Sequence, residues 1–306
     1  MQHMERIAVV GAGAMGSVYA AKFFEMDKEC ISLVAKGERY ARLKAQGLIV
    51  NDRHYTLPVL EVEEKTAPSD LIIVAVKHHH LPGAIQDMKN RIGDHTVILS
   101  VMNGIESEEQ IGAAYGMERV LYAVSVGIDA LRREDRTTYS TQGKLYFGEA
   151  ENHDLTERVT RIQKLFDRAG LVYETPEDMI RILWWKFMIN VGTNQVAAVL
   201  RAPFAVLQTS QEARELMESA MREVMAIAEA KNVRLSQADL DNWFSVLSGL
   251  SPEGRPSMLQ DVEAKRKTEV EMFAGKMIQL GKALDIPVPV NEAFFRIIKV
   301  IEEHYD

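Results

Sequence analysis

Near the start of the chain, Gly11, Ala12, Gly13, Ala14, Met15 and Gly16 have the spacing G-x-G-x-x-G. They follow a four-residue apolar run and open a helical stretch, the context in which this spacing cradles a dinucleotide. Gly11 allows the tight turn, Gly13 lets backbone approach a pyrophosphate, and Gly16 lets helix and strand pack closely. The helix N-terminus then offers unpaired N–H groups and a partial positive charge to the anion. About twenty residues on, the chain reads Val34, Ala35, Lys36, Gly37, Glu38, Arg39. A site selecting an unphosphorylated ribose would place an acid here to accept from the 2′-hydroxyl. Ala35 supplies none, whereas Lys36 and Arg39 can meet a 2′-phosphate, so the spacing favours NADP(H). Glu38 pulls the other way, and Lys36 as a solvated loop charge stays open.

A second chemical constellation lies in the middle of the chain. Lys186, Asn190 and Asn194 are spaced i, i+4, i+8 and so form one polar stripe on a largely apolar helix. Polar groups in such surroundings need partners or a ligand. A lysine beside a nicotinamide can donate to a ketone oxygen as negative charge develops there. Two amides nearby can hold hydroxyl or carboxylate groups. The alternative is a salt-bridged lysine with two amides buried between helices.

These residues need elements to carry them. Residues 6–10 read as a buried strand, Ile31 to Val34 as a second, Leu71 to Val76 as a third and Thr96 to Leu99 as a fourth. Continuous apolar runs separated by helical stretches indicate a parallel sheet covered on both faces. Lys77 ends the third strand and Asn103 follows the fourth, at the carboxyl ends where open sheets bind ligands; an Asn-Gly turn is the plainer reading of Asn103. His78, His79 and His80 lack a further ligand at metal spacing, so no metal site is expected. Val120 to Ile128 and Thr137 to Phe147 are β-rich, the latter an antiparallel addition with Gly143 at its turn. A helix from Leu155 to Ala169 and a short strand, Leu171 to Tyr173, follow.

After Pro176 the patterns are almost only helical. The fold class is therefore α/β, a Rossmann-type mostly parallel sheet over residues 1–176 followed by an all-helical domain over residues 177–306. Helices are expected over Ile180 to Leu200, Gln211 to Lys231 and Ser236 to Leu247, with Ser236 as a cap and Asn291 capping the last. Ser257 with Gln260, and Thr268 with Glu271, read as two capping boxes. They predict a break before Thr268, because one continuous helix would set Ser257 and Glu269 ~18 Å apart.

Composition narrows the classes. A formal charge of −8 argues against a broad nucleic-acid surface. One cysteine, Cys30, excludes an internal disulfide framework, and the cytosol is the natural compartment for such usage. No apolar run approaches the ~20 residues needed to span a bilayer. Met1, Gln2, His3, Met4 and Glu5 lead straight to a strand without a signal-peptide pattern. No membrane partner is expected.

Taken together, Gly11 to Gly16, Lys77, Asn103-Gly104, the Lys186, Asn190, Asn194 stripe, Ser257 to Asp261, Thr268-Glu269-Val270 and Ile286 to Pro289 make the chain resemble the ketopantoate reductase (2-dehydropantoate 2-reductase) family over nearly its whole length. The resemblance implies an NADPH-binding Rossmann domain, a helical domain, and a site in the cleft between them. It implies Lys186 as proton donor to the 2-oxo group, with Asn190, Asn194 and Ser257 on substrate. Lys77, Asn103 and Glu269 would fall on cofactor or on both cofactor and substrate. The reaction would reduce 2-dehydropantoate to pantoate, toward pantothenate and coenzyme A. The expected partner is a small 2-oxo acid, and a homodimer through the helical domain is open. Two positions depart from some members: Gly254 where an asparagine stands, and Phe204 where another polar amide stands. Arg255 is a candidate replacement contact. Such paralogues can reduce other 2-oxo acids. A β-hydroxyacid dehydrogenase and a non-catalytic NADP(H) sensor are the other readings; Ser257 through Glu269 disfavour the first, and the lysine stripe the second.

Overall fold

In the computed structural model, residues 6–305 are described; the signal-peptide reading of residues 1–5 lies outside them. The chain forms two compact units, one up to Ile182 and one from Leu183. The sequence places the boundary at Thr175–Glu177, a few residues earlier.

The first unit runs β1 (Ile7–Val10), α1 (Ala14–Met26), β2 (Ile31–Ala35), α2 (Gly37–Gln46), β3 (Leu48–Val50), β4 (Arg53–Tyr55), β5 (Val59–Glu61), β6 (Leu71–Val74), α3 (Leu81–Asp87), β7 (Val97–Ser100) and α4 (Ser107–Tyr115). It continues through β8 (Val120–Val126), β9 (Leu131–Arg133), β10 (Arg136–Thr138), β11 (Lys144–Gly148), α5 (Glu157–Ala169) and β12 (Tyr173–Glu174). Eight strands make one sheet in the order β12-β11-β8-β7-β6-β1-β2-β5. The six from β5 to β8 are parallel, and β11 joins antiparallel to β8, as its alternating pattern suggests. The centre of the sheet is buried on both faces because β1 and β6 are apolar at every position. Ile7, Val9, Leu71 and Ile73 enter one core with Phe23, Phe147 and Phe166. Ala8, Val10, Ile72 and Val74 enter the other with Leu81 and Ile111.

A second sheet, β4-β3-β10-β9, is not legible in the sequence. Its strands have three residues each, too short for an alternating pattern to declare itself.

The second unit is helical: α6 (Met179–Leu200), whose first turn holds the division, then α7 (Phe204–Thr209), α8 (Gln211–Ala230) and α9 (Gln237–Ser248). They are followed by α10 (Ser257–Glu263), a π-helical turn (Glu271–Gly275), α11 (Lys276–Leu284) and α12 (Pro289–Glu303). The expected break is present: α10 ends at Glu263, Lys265 takes φ +50°, and helical structure resumes only at Glu271. Ser236 does cap α9, in a box with Asp239.

Three other expected caps are not made. Ser257 is the first residue of α10 and not its cap, and Gln260 Nε2 donates to Arg255 O instead. Thr268 is bound by Glu302, which accepts from its N–H and its hydroxyl at 2.7 Å each, while Glu271 pairs with Lys299 and Lys267. Asn291 lies inside α12, which begins at Pro289. Pro suits a first helical position because its missing N–H would be unpaired there anyway. The carboxylate of Glu223 then accepts from the N–H groups of Val290 and Asn291. For Thr268 and Asn291 a distant partner displaces the local one.

Candidate active site

The first unit positions one set of the predicted residues. Its central strands follow the order of a doubly wound dinucleotide fold, in which the chain reverses direction of travel between β1 and β6. The glycine loop leaves β1 and Lys77 follows β6, so both stand at that switch point. Asn103 stands just beyond the next strand, β7. Gly11 has φ +104°, and a Cβ there would lie 2.5 Å from Ala75 O. A Cβ on Gly16 would lie 1.9 Å from Gly11 O. These two glycines are required by packing. Gly13 is different: the nearest atom to its virtual Cβ is Ala75 O at 3.9 Å. Its missing side chain leaves room above the loop, as a phosphate cradle needs. Gly13 also starts α1 without a side-chain cap, and no acid stands in the first turn. The N–H groups of Ala14 and Met15 are thus left for an anion. The residues present fit a dinucleotide.

Lys36 begins α2 and its ammonium donates to Asp87 Oδ1 at 2.6 Å, on the surface. Its charge is therefore partly answered within the protein. Arg39 and Arg42 are exposed on α2, with no ion pair among the described residues. A residue the sequence does not flag completes this region. Arg132, on β9, donates from Nη1 to Ala12 O at 2.9 Å, across 120 positions of sequence.

The second unit joins the other set. Lys186, Asn190 and Asn194 share one face of α6, one turn apart. Asn194 Nδ2 donates to Asn190 Oδ1 at 3.2 Å. Asn194 Oδ1 accepts from Ser257 Oγ at 3.0 Å and from the Met258 N–H at 3.1 Å. Both asparagines are buried, at 3% and 6% exposure. Asn190, Asn194 and Ser257 are therefore one hydrogen-bonded cluster, with Lys186 one helical turn before it, and Asn194 also serves α10 as a cap borrowed from another helix. Lys186 is half-buried by area. Desolvation pushes its ammonium down to about 8, with no charged neighbour behind the shift. Glu269 is buried in the segment between α10 and the π-helical turn.

Phe204 and Gly254, the two departing positions, touch one another. The Phe204 N–H donates to Gly254 O at 2.9 Å, and a Cβ on Gly254 would lie 2.7 Å from the phenyl ring. Arg255 pairs with Glu263 at 2.9 Å in an exposed salt bridge, so its charge is already engaged.

Known proteins resemble this chain in sequence and fold. The family model described as ketopantoate reductase PanE/ApbA matches residues 7–152, and its C-terminal counterpart matches residues 178–302. The 2-dehydropantoate 2-reductase of Mesorhizobium japonicum is 25% identical over 321 residues, covering 96% of this chain and 97% of its own. The crystal structure of 2-dehydropantoate 2-reductase from Geobacter metallireducens has a TM-score of 0.85 at 25% identity, over 96% and 99% of the two chains. D-mandelate dehydrogenase in complex with NADH shares the fold, with a TM-score of 0.89 at 21% identity over 98% and 100%. With both family models matched in order along nearly its whole length, the chain belongs to the ketopantoate reductase family of oxidoreductases.

Proposed function

We propose that this protein is an NADPH-dependent 2-oxo acid reductase whose substrate is 2-dehydropantoate, reduced to pantoate on the way to pantothenate and coenzyme A in the cytoplasm. One observation carries the reading. Lys186 is a desolvated lysine one turn from a buried amide cluster that Ser257 completes.

A bound reduced nicotinamide supplies the hydride that the ketone carbon accepts. The oxygen of that carbonyl becomes an alkoxide and needs a proton. Lys186 holds that proton on Nζ. A pKa of about 8 keeps most of the lysine protonated at neutral pH and makes it a readier donor than an ordinary ammonium. Its positive charge also attracts the oxygen more strongly as the alkoxide develops than in the ketone, the condition for lowering a barrier. After transfer the neutral amine regains a proton from solvent. Asn190, the remaining N–H of Asn194, and Ser257 are the candidate holders of the substrate's carboxylate and hydroxyl. Lys77, Asn103 and Glu269 are candidates on the cofactor side.

The test is NADPH oxidation by purified enzyme against a panel of 2-oxo acids. The reading requires the highest kcat/KM with 2-dehydropantoate and a preference for NADPH over NADH. Tight NADPH binding with no oxidation by any acid would instead mark a sensor. A second substrate reading has its own support. The Phe204 ring lies against Gly254, at positions where the family resemblance implies polar amides in some members, and this favours a 2-oxo acid with a less polar side chain. A phenyl- or alkyl-substituted 2-oxo acid outrunning 2-dehydropantoate in the same panel would select it.

A further inference from the structure

Three polar side chains that the proposed reaction does not use are buried together where β7 gives way to α4. Ser100 is the last residue of β7, Ser107 the first of α4 and Glu108 the second. Their exposures are 0%, 4% and 2%. Ser107 Oγ donates to Glu108 Oε2 at 2.9 Å. That uses the Ser107 proton, so at the 2.7 Å contact between the two hydroxyls Ser100 is the donor. Ser100 Oγ in turn accepts from the Met102 N–H at 3.4 Å. The Glu108 carboxyl also hydrogen-bonds the backbone of Ala123 in β8. The donors thus run one way, from the Met102 amide through two serines to a carboxyl. Hydrogen bonds aligned head to tail polarise one another and strengthen together.

Packing alone does not call for such a chain, because apolar groups of the same shape would hold the core about as well. What the chain does hold is a loop. Val101 N–H still bonds across to Val74 O of β6 at 3.0 Å. One residue on, at Met102, Ser100 takes over from the ladder. Asn103 comes next, and Gly104 follows at φ +97°, so the backbone turns at once. This is the carboxyl end of β7, the side on which open sheets bind ligands. We propose that Glu108, acting through Ser107 and Ser100, is a positioning residue for this loop and sets where Asn103 meets the cofactor. The inference deepens the NADPH reading and rests on it. A contact is productive only within a narrow range of geometry, and a shift of ~1 Å can cost ~100-fold. A buried chain of hydrogen bonds meets that demand better than a solvated turn.

The experiment is fluorescence titration of the full chain with NADPH, beside chemical denaturation of the same proteins. Variants are Ser100→Ala, Ser107→Ala, Glu108→Leu, Glu108→Gln, Asn103→Ala, and Ser107→Ala combined with Asn103→Ala. Asn103→Ala, Ser100→Ala and Ser107→Ala are each expected to weaken NADPH about 3- to 10-fold, the scale of one neutral hydrogen bond. Glu108→Leu should match Ser107→Ala. Glu108→Gln should recover most of the affinity, because its amide oxygen still accepts from Ser107. Should Glu108→Leu not fold, Ser100→Ala and Ser107→Ala carry the test, each losing only a hydroxyl. The combined variant decides between positioning and a merely structural role. If the chain acts through Asn103, adding Ser107→Ala to Asn103→Ala should weaken NADPH by less than about 1.5-fold further. If the two losses multiply, or if Ser107→Ala lowers stability while the Kd holds, the cluster is structural only and the proposal fails. If Asn103→Ala itself leaves the Kd unchanged, Asn103 does not meet the cofactor, and the proposal falls with that assignment. A parent that binds neither NADPH nor NADH would defeat the cofactor reading itself, a result visible before any variant is made.

Discussion

Lys186 is where residue chemistry makes the sharpest prediction. Burial disfavours its charged form, so its pKa falls to about 8. Reduction needs the protonated lysine, and the reverse oxidation needs the neutral amine. With saturating cofactor, kcat for reduction should therefore hold below pH 8 and decline as pH rises through about 8, while oxidation of the hydroxy acid rises over the same range. A reduction rate flat to pH 10 would assign the proton to another group. Lys186→Ala should lose about 10²–10⁴-fold in kcat, with NADPH affinity changed little, because the contact strengthens only as the alkoxide forms. A variant that keeps most of its kcat and loses affinity would recast Lys186 as a binding residue.

Elements decide what each residue is free to do. Asn194 reads in the sequence as a substrate amide, yet its carbonyl oxygen already holds the start of α10 through Ser257 and Met258. Asn194→Ala should then cost stability as well as affinity. About 1–2 kcal/mol, the price of a lost helix cap, should appear in chemical denaturation alongside a raised KM. A raised KM at unchanged stability would mean the cap is dispensable. This also shows what the sequence can and cannot convey. The glycine loop and the Lys186 stripe were legible because their meaning is local: a turn between strand and helix, and positions one helical turn apart. The capping boxes misled because residues 63 and 34 positions away compete for the same hydrogen bonds. Arg132 was invisible for the same reason, since it meets the loop at Ala12, 120 positions away in sequence.

Another element-scale device lies beyond β7. Glu108 in α4 is 2% exposed beside Ser107, and Ser107 in turn meets Ser100. Burial pushes the Glu108 carboxyl up to about 7. A carboxyl raised above its unfolded value of 4.5 favours folding most below that value, and the contribution fades as pH rises through about 7. Glu108→Gln keeps shape and donor capacity but cannot ionise. Relative to the parent it should gain on the order of 2–3 kcal/mol as pH goes from 4.5 to 7.5. Denaturation curves of the two proteins that run parallel across that range would show that Glu108 is not held neutral.

At the scale of the whole molecule, the chain is acidic, at −8, yet Arg132 at its glycine loop lies in the field of Arg39 and Arg42. Arg39, Arg42, Arg132 and Lys36 all lie in the unit up to Ile182, so an anionic cofactor meets a local field opposite to the net charge. NADPH that binds only the folded form should stabilise by about 2.7 kcal/mol at a hundredfold excess over its Kd. Because the chain comprises two compact units, that gain should be read segment by segment, and not from a single midpoint. Hydrogen exchange provides the segments. On adding NADPH alone, residues 11–17, 36–46 and 131–136 should slow together, since the first carries the cradle and the other two carry the guanidinia. NADH at the same occupancy should slow 11–17 through the shared pyrophosphate and leave 36–46 and 131–136 near their free rates. Equal protection of all three segments by both cofactors would place the arginines on a group that NADH and NADPH have in common.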